Sequence, residues 1–137
     1  MDKKLKFSIL FLALISLSFM SCSDSPENEF KIMNASAADL ELNFRAELIV
    51  VPSGEEFIIK DLPKGEFAYE SIFVLPSNIT DVTIEGAASG TIEFFGGTKA
   101  LLYIVSNVGD GTMTIFASLT QQEDVNFTGL TDPLSNP

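Results

Sequence analysis

Cys22 is the only thiol in the 137-residue chain, and there is no histidine. A lone sulfur can act as a nucleophile or carry a covalent group, but the usual pairing of thiol or hydroxyl with imidazole is missing. No Ser-x-x-Lys occurs after residue 21, so carboxylates are the remaining catalytic material. Glycoside hydrolysis needs two of them roughly 5–9.5 Å apart. Glu66 and Glu70 share one face of an extended segment but, at about 3.4 Å per residue, stand about 14 Å apart. Cross-strand meetings such as Glu85 with Glu93 stay open, and with 18 acids after residue 21 some encounters arise by chance. Transition metals lack their commonest ligands here. Calcium wants about six to eight oxygens; Asp110 between two glycines, or Glu55-Glu56 beside Gly54, offers only a weak cluster. Neither a catalytic residue nor a metal or cofactor site is assigned.

The surroundings of Cys22 are more specific. Lys3, Lys4 and Lys6 precede an uncharged run, Phe7 to Phe19, of about 13 residues. That matches the roughly 7–15 of a signal h-region and falls short of the roughly 20 that span a bilayer. Phe19-Met20-Ser21-Cys22 then resembles the lipobox of bacterial lipoproteins, with Ser21 as the small residue before an obligatory cysteine. Phe19 and Met20 stand where that family prefers leucine and a small residue. The resemblance implies a diacylglyceryl thioether on Cys22, cleavage between Ser21 and Cys22, and in many bacteria a further acyl chain such as palmitate on the freed amine. Two or three chains, at about 0.8 kcal/mol per buried methylene, anchor firmly where one does not. The competing reading is ordinary secretory cleavage after Ser18, which would leave an exported protein with a stray thiol.

Residues 23–29, Ser-Asp-Ser-Pro-Glu-Asn-Glu, are polar and carry three acids and no base. They read as a flexible tether over 22–29, spanning at most roughly 28 Å between Cys22 and Phe30. They also resemble the acidic segments that follow the cysteine in surface-exported lipoproteins of the Bacteroidetes type, although a solvated spacer accounts for the same composition. Ser23 directly after the cysteine fits the outer membrane. Localisation is therefore expected at the outer membrane through the lipid, with the cell surface as one of two orientations.

Without residues 1–21 the chain is one ordinary domain. Five bases remain (Lys31, Arg45, Lys60, Lys64, Lys99) against 18 acids, a net charge of −13. Such a charge repels nucleic acid and anionic lipid.

From Phe30 onward the pattern has period two. Leu40, Leu42 and Phe44 alternate with Glu41, Asn43 and Arg45; Met113, Ile115, Ala117 and Leu119 alternate with polar neighbours. Each reads as a half-buried strand. Leu101 to Val105 is continuously apolar and suits a central strand, and Phe67, Tyr69 and Phe73 suit a sheet interior. Tyr69 and Tyr103 read as core residues rather than sugar platforms. Pro52-Ser53-Gly54, Leu62-Pro63-Lys64-Gly65, Gly96-Gly97 and Gly109-Asp110-Gly111 punctuate the strands, the second with turn chemistry and the third as a two-residue hairpin. The stretch from Glu56 to Phe73 resembles the central hairpins of immunoglobulin-like and transthyretin-like modules, an architecture that hosts many functions.

The expectation is an all-β antiparallel sandwich of eight or nine strands over 30–120, with a signal peptide over 1–21 and a partly loose extension over 121–137. Its expected role is a non-catalytic, membrane-anchored interaction or accessory module of the cell envelope. Its partner would be an envelope protein or an extracellular ligand. The alternatives are a carboxylate-based hydrolase of glycans or peptides and a purely structural envelope component.

Overall fold

The computed structural model of the protein describes residues 27–123. Nine strands follow in order: β1 (Asn28–Ala35), β2 (Asp39–Phe44), β3 (Glu47–Val51), β4 (Glu56–Leu62), β5 (Gly65–Val74), β6 (Asp81–Gly86), β7 (Ser89–Phe94), β8 (Thr98–Gly109) and β9 (Thr112–Glu123). They form two packed sheets, ordered β4-β1-β8-β9-β6 and β3-β2-β5-β7. The protein is an all-β sandwich. Its smaller sheet is antiparallel throughout, but the larger is mixed, because β1 runs parallel to β8 and β6 parallel to β9. Parallel neighbours need a long crossover, and the chain makes each one by passing through the opposite sheet. The strand order also departs from the immunoglobulin constant type, whose first two strands share a sheet; here β1 and β2 lie in opposite sheets.

Alternation sets the core. Leu40, Leu42 and Phe44 of β2 face Phe30 and Ile32 of β1, and Met113, Ile115 and Ala117 of β9 point inward with them. Phe30 meets Phe44 at 5.1 Å and Tyr69 at 6.2 Å between ring centroids, and Phe67 continues the chain of rings to Phe94. As its apolar run implies, β8 is central, flanked by β1 and β9, and Leu101 to Ile104 are all buried.

The turns divide into two kinds. Asp110-Gly111 closes a true β8–β9 hairpin with Gly109 opposite Thr112, both turn residues having positive φ (48° and 77°). That is the type I′ signature, which suits the twist of the strands. Leu62-Pro63-Lys64-Gly65 and Gly96-Gly97 are not hairpins: β4 and β5 belong to different sheets, as do β7 and β8. The resemblance of Glu56–Phe73 to a central hairpin therefore fails, and both corners carry the chain across the sandwich. The sharpest β2–β3 hairpin lies instead at Arg45-Ala46, where Phe44 opposes Glu47 and both turn residues have positive φ (52° and 60°). Arg45, expected inside the strand, is a turn residue.

Asn28 and Glu29, expected in the tether, belong to β1. Asn28 is buried and binds both crossover corners: its Nδ2 donates to Leu62 O (2.9 Å), and its Oδ1 accepts from the amides of Gly96 and Thr98 (3.0 Å each). At the C-terminal side the sheet continues to Glu123, three residues into the expected extension.

Tyr69 confirms its expected place, buried with its hydroxyl donating to Ala87 O at 2.7 Å. Burial pushes its phenol above the ordinary value of 10.0. As pH passes about 10 the unfolded chain loses this proton first, so the folded state then holds more protons and stability falls with rising pH. Wild type is expected to lose melting temperature above that pH more steeply than Tyr69→Phe; parallel curves would assign the loss to other groups.

Candidate functional site

Cys22 and Ser21 lie outside the described residues, which enter the fold at β1. Asn28 starts β1 beside the end of β9: Glu29 pairs with Lys99, and Lys99 with Gln122. Arg45, Lys60, Lys64 and Lys99 lie toward this same end. The opposite end carries the loops around Ser36, Gly54 and Asp110, with Asp39, Glu55, Glu56, Asp81 and Asp110 among or beside them. Lys31 is held by Glu56 (3.2 Å) and Lys99 by Glu29 (3.6 Å).

The carboxylates do not gather as the sequence allowed. Glu85 lies in β6 and Glu93 in β7, in different sheets. The register instead sets Glu66 directly opposite Glu93 on the outer face of β5 and β7, both exposed. Like charges directly opposite each other destabilise a sheet. Glu93→Lys should therefore raise stability by about 0.5 kcal/mol, read as a higher urea midpoint; an unchanged midpoint would mean that the two side chains splay apart. Among the described residues no group of three or more Asp, Glu, Cys or His is placed to hold a metal. Glu55 and Glu56 flank a shallow hollow with Gly54, and Glu56 is engaged by Lys31.

Concavity is found on one flank of the sandwich, between the edge strands β3 and β4. Phe44, Arg45, Glu47, Ile49, Phe57 and Ile59 are among the residues lining a cleft of about 340 Å³ there. Phe57 pairs with Ile32 and Ile49 with Leu42, both wholly buried, so each belongs to the inward face of its strand. Phe57 is nonetheless 43% exposed. The core is open at this flank. Beyond Val51 the gap is closed, because Gly54 N donates to Asn34 O (2.7 Å), Asn34 N to Glu55 O (2.9 Å) and Asn34 Nδ2 to Val51 O (2.9 Å). The other flank is bridged by Tyr69 to Ala87 O and by Gln121 Nε2 to Glu93 O (3.1 Å). The cleft is thus a wedge that opens toward the end where the chain enters, with Arg45 and Lys60 at its mouth.

Sequence reasoning did not find this cleft. Arg45, in the β2–β3 turn, and Lys60, in β4, are 15 positions apart and belong to different sheets, and only the strand order brings them together.

These features define a small acidic β-sandwich with one open flank and carboxylates dispersed over its surface. No protein-family model matches the chain, and no curated protein matches it.

Proposed function

We propose that this chain is a lipid-anchored lipoprotein of the outer membrane whose sandwich is a non-catalytic interaction or accessory module of the cell envelope. The carrying observation is the leader itself: a basic start, an uncharged run and Ser21-Cys22, with the only cysteine placed six residues before β1. The short tether keeps the sandwich beside the lipid surface, and an open flank offers apolar side chains to a partner.

Cys22→Ala is expected to move most of the protein from the membrane pellet to the soluble fraction and to abolish incorporation of labelled palmitate. A variant that still sediments with membranes would overturn the anchor. Shaving intact cells with protease then separates surface exposure, in which wild type is cleaved, from a periplasmic orientation, in which it survives.

A second reading rests on Glu66 opposite Glu93, the hydrolase alternative. It requires glycan- or peptide-cleaving activity that disappears when both are replaced by glutamine.

A further inference from the structure

We propose that the cleft between β3 and β4 is a strand-docking site. Its occupant is an extended segment of another envelope protein, apolar at alternate positions and carrying one acidic side chain, which pairs with the free edge of β3. The envelope setting rests on the anchored-module reading; the cleft and its chemistry do not.

Three features select this occupant. The first is the uncovered core: Phe57 faces inward yet is 43% exposed, beside Ile49 and Ile59. Apolar groups supplied from outside would complete a core that this chain leaves unfinished.

The second is the backbone. Both β3 and β4 are edge strands, and an edge presents unpaired amides and carbonyls that a partner strand can take up. The two edges are not equally open. β4 carries Lys60 and, at Asp61, a positive φ of 54° with a register shift against β1. A charge and a bulge both discourage pairing. β3 reads Glu-Leu-Ile-Val-Val: its one charge, Glu47, stands at the first position, the rest of the edge has neither charge, proline, glycine nor bulge, and Leu48 and Val50 stand 55% exposed on its outer face. An acyl chain would cover the apolar groups but leave this edge unpaired.

The third is charge. Arg45 and Lys60 line the cleft, and neither makes an ion pair among the described residues. Arg45 is held over the Phe67 ring, 5.5 Å from its centroid. Glu47 lines the same cleft, so its mouth holds two cations against one carboxylate, a net positive spot in a domain with five bases and 18 acids that favours an acidic visitor. The overall charge also disfavours a second copy of this chain, because two copies would bring together net charges of −13.

The test uses the full-length protein, extracted from its envelope and held in nanodiscs. Its probes are a fluorescein-labelled ten-residue peptide alternating Val and Thr with one central Asp, and a twin with Lys in its place. The Asp peptide is expected to bind at least tenfold more tightly than its twin and to slow amide exchange across residues 47–51. Replacing Arg45 and Lys60 together by Glu should reverse that preference while leaving the melting temperature within a few degrees, since both side chains are exposed.

Four outcomes would overturn the proposal: binding of neither peptide; equal binding of both; protection at β6 or β7 instead of β3; and binding of phosphatidylglycerol vesicles through Arg45 and Lys60 without protection of 47–51. Concentration-dependent self-association that protects 47–51 would equally replace it with a homodimer. Failure of the cleft and failure of the anchor are read separately. A soluble Cys22→Ala protein with no peptide binding removes only the docking site, whereas a membrane-retained one removes only the lipid.

Discussion

Gly86→Ala is expected to lower stability by roughly 2–5 kcal/mol, combining a left-handed backbone cost of about 1–2 kcal/mol with an overpacking cost of about 1–3 kcal/mol. Gly86 ends β6 with φ +85°, and a β-carbon there would stand 2.1 Å from the carbonyl oxygen of Ala117. That oxygen belongs to the rigid backbone of β9 and already accepts from Ala87 N at 2.8 Å. Ala87 O in turn accepts the Tyr69 hydroxyl, so a displaced Gly86 pulls on the bridge between the two sheets. Gly54→Ala provides the matched control. Its φ of +81° is nearly the same, but no atom lies within 4 Å of the added carbon, so only the backbone cost of about 1–2 kcal/mol should appear. Urea unfolding of the two variants tests this, with faster amide exchange at Ala87 expected for Gly86→Ala alone. Equal losses would show that strand proximity is not what demands glycine. If Gly86→Ala yields no folded protein while Gly54→Ala does, the expectation is met in its extreme form.

Asn28→Ala should cost about 3 kcal/mol or more, because three backbone groups lose their partner and each unsatisfied buried group costs about 1–3 kcal/mol. The groups are Leu62 O, Gly96 N and Thr98 N, one from each crossover corner and one from the start of β8. For a domain of about a hundred residues this is a drop in melting temperature of roughly 15 °C. Asn107, exposed near the far end of β8, supplies a comparison whose replacement by alanine should stay within about 0.5 kcal/mol. A loss below about 1 kcal/mol at position 28 would mean that water enters and satisfies the three groups instead. Asn28 opens β1 and ties the ends of its two neighbours in the same sheet, β4 and β8, to the corners through which the chain crosses the sandwich.

Much of the sheet architecture was written locally. Leu40-Leu42-Phe44 and Met113-Ile115-Ala117 show their inward faces by alternation alone, and the unbroken run Leu101–Val105 names the central strand. Glycine, proline and aspartate marked where the chain bends, but not where it goes next. Leu62-Pro63-Lys64-Gly65 and Gly96-Gly97 have hairpin chemistry and nonetheless cross between sheets, since a turn fixes local geometry while the partner strand is chosen by burial elsewhere. Arg45-Ala46 erred the other way: neither residue advertises a left-handed turn, and the hairpin there is imposed by the pairing of Phe44 with Glu47. Asn28 was hidden for a related reason. It sits in a polar, acidic stretch that reads as tether, and its partners lie 34, 68 and 70 positions away. The docking cleft shares that invisibility, being made by two edges whose adjacency is a property of topology.

The meeting of β1 and β9 at one end of the sandwich makes the domain reversible by design. Asn28 and Glu123 flank the start of β8, and two strand spacings place them only about 10 Å apart. The Asp110-Gly111 hairpin caps the opposite end, about 40 Å away along the 12 residues of β8. Joining Asn28 to Glu123 through a short linker and opening the chain between Asp110 and Gly111 would give a circular permutant of the same sandwich whose ends lie at its other pole. Its new ends would emerge among the acidic loops, and the mouth of the cleft would lie at the pole away from them.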